Sequence, residues 1–418
     1  MNGKQILVMG GGVAGLTAAI EAAEAGCRVV LVEKSPYLGG RVARAHLYFP
    51  KLCPPTCGLE INFRRIKNNP NIEVLTLAEL ESLRGTPGDY EATVRVSPRY
   101  VTGACTLCDA CAQACPAERS NDFDLGLSQT KAAYLPYAMA FPAAYVIDRE
   151  ACPEGCRACA EACKYAAIDL NQQAERKKYQ IAAVIAATGW KPYDAARIDN
   201  LGFGKYPDVI TNVIMERLAA PNGPTQGRIL RPSDGQAPAS VAFVQCAGSR
   251  DDNHLPYCSA VCCAASLKQA SYVRSLCPEA NITIFYIDIR TPGRLEDFYM
   301  KIAADEKLEL IKGKVAKVER DGHSGKIVIT AEDVMKGGKT ERRVDLLVLA
   351  TGIVPQTEGL PGDFALDEFK FISNGPGKTG VYGAGCARRP EEVSASVQDA
   401  TGAALKAMQC VVKGAHHE

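Results

Sequence analysis

Cysteine shows the clearest chemical pattern in this sequence of 418 residues, which contains eighteen of them. Residues 105–115 read C-x2-C-x2-C-x3-C and are followed by Pro116. A second run, at residues 152–163, reads C-x3-C-x2-C-x3-C and is followed by Lys164 in place of a proline. At such short spacings three thiolates surround one corner of an iron–sulfur cubane, while the fourth cysteine of each run reaches the other cluster.

Two [4Fe–4S] clusters are therefore predicted for these runs. The expected ligand sets are Cys105, Cys108, Cys111 and Cys163 for the first cluster, and Cys115, Cys152, Cys156 and Cys159 for the second. The second run is the less regular of the two, because its first two cysteines are separated by three residues and not by two, and because Lys164 stands where a proline is usual. Zinc is the alternative, because it also takes thiolate ligands, but a zinc site needs only four and would not require paired runs.

A third group has the spacing C-x11-C-x3-C-C and consists of Cys246, Cys258, Cys262 and Cys263. It follows a predicted strand at residues 239–245 and is followed by a helix and a strand, the outline of a nucleotide-binding β-α-β unit. The glycines that would let a pyrophosphate approach the backbone are missing there. A third cluster is expected at this position, with buried or redox-active thiols as the alternative.

The elements that position these cysteines begin with a β-α-β unit at the start of the chain. An apolar strand ends at Gly10, Gly12 and Gly15, which have G-x-G-x-x-G spacing, and a second strand at residues 28–32 leads to Glu33. The glycines permit a tight turn, close approach of a pyrophosphate, and close packing of helix on strand, and the acid can bind a ribose. The helix N-terminus favours phosphate. A dinucleotide site is predicted, with a purely structural glycine turn as the alternative.

The loop after the ribose-binding acid indicates which dinucleotide binds. SPYLGGR at residues 35–41 resembles the E-x5-G-G-[RK] pattern of flavoproteins with two dinucleotide-binding domains. VIAATG at residues 184–189, VLATG at residues 348–352 and TGVYGAG at residues 379–385 match later turns of that superfamily. Cys386 replaces the usual acid, which leaves the ribityl contact at that position open. The resemblance implies FAD, with NAD as the alternative, bound by Gly10, Gly12, Val13, Ala14, Gly15, Glu33, Lys34, Gly40, Arg41, Ala187, Thr188, Gly189, Thr351, Gly352, Gly385 and Cys386.

Charge and hydropathy exclude several classes of protein. The formal net charge is +1, and Lys and Arg do not cluster in runs, so no nucleic-acid surface is indicated. Because the first residues lead directly into a predicted strand, we expect no signal peptide. No apolar run approaches the ~20 residues that span a bilayer. Without a secretory signal, metal or redox roles are favoured over disulfides for the cysteines. We expect a cytoplasmic protein that is peripheral to the inner membrane through a partner only.

The fold class expected is α/β: a two-dinucleotide-binding-domain flavoprotein, Rossmann-like and similar to thioredoxin reductase, with an inserted ferredoxin-type domain. The FAD-binding domain is predicted in three parts, at residues 1–100, 173–235 and 346–418. Between these parts we expect the ferredoxin-like module at residues 101–172, and at residues 236–345 a second Rossmann-like domain that carries cysteines in place of an NAD site. Within these limits the patterns predict strands at residues 72–77, 91–96 and 181–187, and helices at residues 209–218 and 391–412.

Cys53 and Cys57 bracket two prolines in the loop that follows the predicted flavin-binding turn. They could form a redox dithiol close to the flavin or act as ligands. An ordered loop packed under the cofactor is the alternative, because C-x3-C alone is unspecific.

Together these residues resemble the family of heterodisulfide reductase A subunits. The resemblance rests on the flavin motif, the early cysteine pair, the inserted runs, CAGSRD and YCSAVCC within residues 246–263, and GAGCARRPEEVSASVQDATGAA at residues 383–404. The family's long form carries additional terminal segments, and we expect this chain to be a short form that looks like the A subunit of the quinone-interacting membrane-bound oxidoreductase (Qmo) complex of sulfate reducers. That resemblance implies FAD, [4Fe–4S] clusters, partners of Qmo B and C type, and electron exchange between menaquinol and adenylylsulfate reductase.

The function expected is electron transfer, in which FAD converts between two-electron and one-electron transfer and the clusters carry single electrons. A soluble heterodisulfide-reductase-type A subunit is one alternative. A self-contained NAD(P)H-dependent reductase, similar to glutamate synthase small subunits, is another, but the missing second glycine motif speaks against it. The intact unit at residues 10–33 speaks against a scaffold with a vestigial flavin.

Lys268 is the candidate catalytic residue. It follows Cys263 by five residues on the predicted helix, which corresponds to a rotation of ~500°, or about a turn and a half. In the resembling family, the lysine at this spacing approaches the N5 edge of the flavin. A cation there would stabilise negative charge on the flavin and change its one-electron potentials. An exposed surface lysine is the alternative.

Overall fold

The structure is a computed structural model that describes residues 5–362, 364–374 and 380–414. Its strands are β1 (Gln5–Met9), β2 (Val29–Glu33), β3 (Ile72–Thr76), β4 (Ala78–Thr86), β5 (Asp89–Val96), β6 (Glu118–Ser120), β7 (Gln129–Lys131), β8 (Ala133–Tyr134), β9 (Val146–Ile147), β10 (Glu175–Ala186), β11 (Trp190–Pro192), β12 (Val209–Thr211), β13 (Ser240–Ala247), β14 (Asn281–Tyr286), β15 (Leu308–Lys312), β16 (Val315–Arg320), β17 (Ile327–Glu332), β18 (Lys339–Val344), β19 (Leu346–Thr351), β20 (Ile353–Pro355) and β21 (Val381–Gly383). The α-helices are α1 (Val13–Glu24), α2 (Pro55–Lys67), α3 (Ala110–Gln113), α4 (Ala158–Glu161), α5 (Asn212–Ala219), α6 (Cys262–Leu276), α7 (Leu295–Ala303) and α8 (Val393–Gly414).

The first sheet has the order β3-β2-β1-β10-β5-β4, and β21 also pairs with β10. Strands β1 and β2 are short, apolar and buried along most of their length, as expected for parallel strands covered on both faces. Helix α1 connects them and packs against α8. Ala18, Ala19 and Ala22 are fully buried, which lets the helix lie close to the sheet.

Strand β10 is longer than predicted and changes partners along its length. From Glu175 to Ile181 it pairs antiparallel with β5, and from Ile181 it pairs parallel with β1. The first half of β10 is polar and largely exposed. Here Arg176 makes a bidentate contact with Glu81 on β4. The sequence pattern missed this half and all of β4, since neither carries a continuous apolar face.

Residues 97–174 form a small unit inserted between β5 and β10, and Phe123, Tyr137 and Ala140 of this unit pack into the core of the first sheet. Val96 and Glu175 are direct neighbours in the sheet, so the chain leaves and re-enters the first sheet at one place. The unit contains only short elements: β6 to β9, the two one-turn helices α3 and α4, and a 3-10 helix at Asp122–Asp124. Cysteine side chains form part of its apolar core.

The second sheet is parallel and has the order β12-β19-β13-β14-β15. Two of its strands, β12 and β19, lie outside the residues 236–345 that we predicted for the second domain, so that prediction was too narrow. The predicted helix at residues 209–218 was also wrong at its start. Val209, Ile210 and Thr211 are β-branched and form β12, and Thr211 then caps α5 by accepting a hydrogen bond from the Ile214 amide.

Strands β16, β17 and β18 form an antiparallel meander that lies in the chain between β15 and β19 of the second sheet, and α8 is the last described element. None of the helices in the described ranges is long and apolar enough to cross a membrane.

Candidate functional site

A cradle of glycines lies where β1 meets α1. Gly10 has a φ of +102°, and a Cβ atom there would lie 2.3 Å from the Ala187 carbonyl oxygen. A Cβ atom on Gly15 would lie 1.8 Å from the Gly10 carbonyl oxygen. At Gly12 the nearest atom to an added Cβ is the Gly40 Cα atom at 4.0 Å. The backbone therefore leaves no room for a side chain at Gly10 or Gly15. Gly12 instead faces open space beside Val13 and Ala14, where α1 begins.

Glu33 ends β2 beside this cradle. Its Oε2 atom accepts a hydrogen bond of 2.6 Å from the Gly11 amide, and its Oε1 atom accepts one of 2.7 Å from the Ser35 amide. These bonds fix the carboxylate at the edge of the cradle, as a ribose-binding acid requires. Lys34 is directed elsewhere, because its ammonium group pairs with Glu79 at 2.7 Å and its side chain is 82% exposed.

The loop after Glu33 closes over the glycines. The Gly39 amide donates to the Gly11 carbonyl oxygen at 2.8 Å. The guanidinium of Arg41 lies 4.6 Å from the centre of the Trp190 ring, and its Nε atom donates to the Trp190 carbonyl oxygen. Burial lowers the pKa of Arg41 to about 10. Thr188, in the turn beside Gly10, has a buried hydroxyl without a partner among the described residues.

The late glycine turn reaches the same place. A Cβ atom on Gly385 would lie 2.8 Å from the Ala14 side chain, so this turn packs against the first turn of α1. The Gly385 amide donates to Asp399 on α8. Cys386 donates to the Glu391 carbonyl oxygen at 3.3 Å, and burial raises the pKa of its thiol to about 11. Thr379, the first residue of the predicted TGVYGAG turn, lies outside the described residues.

Two acids at this turn were missed by the sequence reasoning. Asp399 binds the Gly385 amide, and Glu391 is buried with one carboxyl oxygen that makes no hydrogen bond to the described residues. Burial raises the pKa of Glu391. The segment after Cys386 carries two arginines and three acids, so its composition did not single out these two carboxylates.

The cradle fits the diphosphate of a dinucleotide. The structure brings the early glycines together with Glu33, Gly40, Arg41, the turn of Ala187 to Gly189, Gly385 and Cys386. Three predicted binding residues are not brought there: Lys34 pairs with Glu79 at the surface, and Thr351 and Gly352 lie against the third cysteine group. The Thr351 carbonyl oxygen accepts from Cys262, and a Cβ atom on Gly352 would lie 2.7 Å from the Ser259 hydroxyl.

The first predicted ligand set surrounds one cavity. Cys105, Cys108, Cys111 and Cys163 all line it, together with Tyr145 and Tyr165. Burial raises the pKa of Cys111 to about 12. A buried thiol of this kind stays protonated at neutral pH unless a metal centre binds it.

The second predicted set is also assembled. Burial raises the pKa of Cys159, and the neighbouring thiols of Cys152, Cys115 and Cys156 raise it further, so the four groups lie close together. Cys115 and Cys159 are buried. The arrangement suits thiolate ligation because a bound metal cluster would offset the unfavourable burial of negative charge.

The third group comes together at the mouth of the second sheet. Cys246 is the second-to-last residue of β13 and has a φ of +56°, and Cys262 and Cys263 form the first turn of α6. Burial raises the pKa of Cys262, and Cys246, Cys263 and Cys258 raise it further. Burial also raises the pKa of Cys246 to about 11. Across residues 5–362, 364–374 and 380–414, no three His, Cys, Asp or Glu side chains converge on a single-ion metal site.

Cys53 is partly exposed, and Cys57 is exposed in the first turn of α2. The hydroxyl of Tyr48 lies close to both thiols. Burial has the largest effect and raises the pKa of Tyr48, and the negative charges of the two thiolates raise this pKa further. This geometry is compatible with either a redox pair or an ordered loop.

Lys268 is buried on α6, so the alternative of an exposed surface lysine is wrong. Its ammonium group donates to the Leu47 carbonyl oxygen at 2.6 Å and lies 3.1 Å from the Glu216 carboxylate. Leu47 belongs to the loop that continues from Arg41. Lys268 therefore connects the helix of the third cysteine group with the loop that closes the glycine cradle.

Comparisons with known proteins agree with this geometry. A family described as FAD dependent oxidoreductase matches residues 5–53, which include the cradle. Thioredoxin reductase of Lactococcus lactis has a similar fold, with a TM-score of 0.54 and 14% identity over 98% of this chain and 99% of that chain. The likeness confirms the predicted two-domain, Rossmann-like fold class.

Several relatives are similar over almost the whole chain, and two of them illustrate the likeness. The A subunit of the Ferredoxin/F(420)H(2)-dependent CoB-CoM heterodisulfide reductase of Methanosarcina acetivorans is 37% identical over 98% of this chain and 54% of its own length. The A subunit of the H(2):CoB-CoM heterodisulfide,ferredoxin reductase of Methanothermobacter marburgensis is 36% identical over 98% of this chain and 64% of its own. The chain thus spans between about half and two thirds of these relatives, and it belongs to the family of heterodisulfide reductase A subunits.

Proposed function

We propose that this chain is an FAD- and iron–sulfur-containing electron-transfer subunit of a multi-subunit oxidoreductase. The observation that carries the proposal is the presence of a dinucleotide cradle and three assembled groups of thiols in one chain. Bound FAD would convert between two-electron and one-electron transfer, and the clusters would carry single electrons.

The side chains have separable tasks in this function. The glycines and the α1 N-terminus bind the diphosphate, and Glu33 binds a ribose. Arg41, held against Trp190, places a positive charge at the rim of the cradle. The twelve grouped cysteines hold three [4Fe–4S] clusters, two in the inserted unit and one at the second sheet. A site for NAD(P)H is disfavoured, because Cys246, near the end of β13, stands where the glycine turn of such a site would start.

The partners and the reaction follow from the finer resemblance to Qmo A subunits. We propose that Qmo B- and C-type subunits bind the chain, that membrane contact occurs only through such a partner, and that electrons pass between the menaquinone pool and adenylylsulfate reductase. Flavin-based bifurcation or confurcation of electrons is compatible with this role. Relatives named as A subunits of heterodisulfide reductases support a multi-subunit assembly.

Purification of the native protein under anaerobic conditions tests the function and the partners together. We expect FAD after acid release, about twelve irons per chain for three cubanes, and co-purifying subunits of Qmo B and C type. Identification of NAD or FMN, or the absence of flavin, would refute the cofactor assignment. Zinc in place of iron would refute the clusters, and subunits of a soluble heterodisulfide reductase would refute the Qmo assignment alone.

Lys268 is proposed to tune the flavin. Replacing Lys268 by Gln removes the charge and keeps most of the length, so we expect FAD and iron contents to stay unchanged. The flavin midpoint potential should fall, because less positive charge is then available to stabilise the negative charge that reduction adds to the flavin. Electron transfer should therefore slow. The Glu216 carboxylate already offsets part of the lysine's charge. A spectroscopic redox titration measures the shift, with exposed Lys314→Gln as the control. Potentials equal to those of the unmodified protein would contradict the proposal.

A further inference from the structure

Gln245 occupies a distinctive position beside the third cysteine group. It lies on β13, immediately before Cys246, and its side chain is only 5% exposed. Its neighbour Val244 is paired with β14 on one side and β19 on the other, so this end of β13 lies inside the second sheet. Because Gln245 is buried there, the polar atoms of its amide must be satisfied by the groups that surround them.

Only one end of the Gln245 amide is satisfied. Its Oε1 atom accepts a hydrogen bond of 3.4 Å from the Cys263 thiol. Its Nε2 atom is buried and has no partner among the described residues, although it carries two donor hydrogens. A buried amide nitrogen that bonds to nothing is uncommon in native proteins and calls for a specific explanation.

Cluster binding changes which end of the amide can contact Cys263. A metal-bound cysteine sulfur carries no proton, so it can accept a hydrogen bond but cannot donate one to Oε1. The two ends of a glutamine amide have nearly the same size and shape. A half-turn of the amide places Nε2 where Oε1 now lies, within hydrogen-bonding distance of the sulfur.

We infer that Gln245 donates an N–H···S hydrogen bond to the Cys263 sulfur of the third cluster and thereby raises the reduction potential of that cluster. The inference rests on the proposed function, because it requires a cluster at the third cysteine group. Reduction adds negative charge to a cluster, and a hydrogen-bond donor to a ligand sulfur stabilises that charge. Gln245 is thus a positioning and tuning residue, and it does not itself bind iron.

The test is an EPR-monitored redox titration of the holoprotein with Gln245→Leu and Gln245→Glu. Both variants should retain the iron content and all three cluster signals. We expect the equilibrium constant for reduction of one cluster to fall about tenfold in Gln245→Leu, which is 59 mV for a one-electron couple. The fall should be larger in Gln245→Glu, because a carboxylate keeps the shape of the amide but presents a negative charge and no donor.

Gln269→Leu is the matched control. Gln269 is equally buried on α6, but its Nε2 atom already donates to the Asn212 carbonyl oxygen and to Glu216, so the cluster potential should not change. Unchanged potentials of all clusters in both Gln245 variants would overturn the inference alone. An unmodified protein with only two cluster signals would overturn the inference and the third cluster together. Selective loss of the third signal from Gln245→Glu would show a structural role and would also overturn the inference.

Discussion

Replacing Gly12 by Ala is expected to leave the protein folded and to weaken FAD binding between about tenfold and a hundredfold. An added Cβ atom meets nothing closer than the Gly40 Cα atom at 4.0 Å, so the chain itself has room for the methyl group. That room is where we expect the diphosphate to approach the backbone. Losing one hydrogen bond to a charged group costs about 1.5–3 kcal/mol, which corresponds to the stated range.

Titration of FAD into the apoprotein, followed by flavin fluorescence, measures the effect. Gly402→Ala is the matched control: Gly402 is exposed on α8, and an added Cβ atom there meets nothing within 4 Å, so FAD affinity should be unchanged. FAD affinity of Gly12→Ala equal to that of the unmodified protein would show that the diphosphate does not bind at this turn.

Local patterns carried most of what could be predicted about the fold and the site. The spacing of Gly10, Gly12 and Gly15 defines a turn whose geometry depends on adjacent residues, and the turn lies where predicted. The short cysteine spacings likewise restrict where the thiols can lie. The structure assembles each of the three predicted groups, and their role as cluster ligands stays a prediction.

Predictions failed where distant parts of the chain decide the local structure. Residues 175–180 are polar and gave no strand signal, yet antiparallel pairing with β5 makes them the first half of β10. The VLATG segment resembles the turn at residues 184–189, which led us to end the second domain at residue 345. Pairing with β12 and β13 instead places β19 in the second sheet.

Buried polar contacts between distant residues were also beyond sequence reasoning. Helical geometry placed Lys268 correctly on α6, but nothing in the sequence indicated Glu216 as its partner or Leu47 as its acceptor. The same holds for Arg217 and Asp124, which are 93 residues apart in the chain. Such contacts depend on how the units pack together, and they connect the candidate sites with one another.

Replacing Arg217 by Met should destabilise the protein by about 3–5 kcal/mol, the usual cost of leaving one partner of a buried ion pair uncompensated. The Arg217 side chain is 1% exposed and lies 2.8 Å from the Asp124 carboxylate of the inserted unit. It also donates to the carbonyl oxygens of Arg44 and Asn222, and its guanidinium lies 4.8 Å from the centre of the Phe123 ring. Arg217, on α5, therefore anchors both the inserted unit and the loop after Arg41 to the part of the molecule that contains the second sheet.

Denaturant unfolding and hydrogen exchange measure this effect, with Arg176→Met as the control. Arg176 pairs with Glu81 on the surface, where its side chain is 66% exposed, so its loss should cost less than about 1 kcal/mol. In Arg217→Met, exchange should increase together in residues 42–48 and 121–128, because both segments lose the same anchor. Asp124→Asn removes the charge that Arg217→Met leaves unpaired, so the double variant should be less destabilised than the sum of the two single variants. Additive costs, or faster exchange in only one of the two segments, would mean that Arg217 does not couple the inserted unit to the loop that closes the glycine cradle.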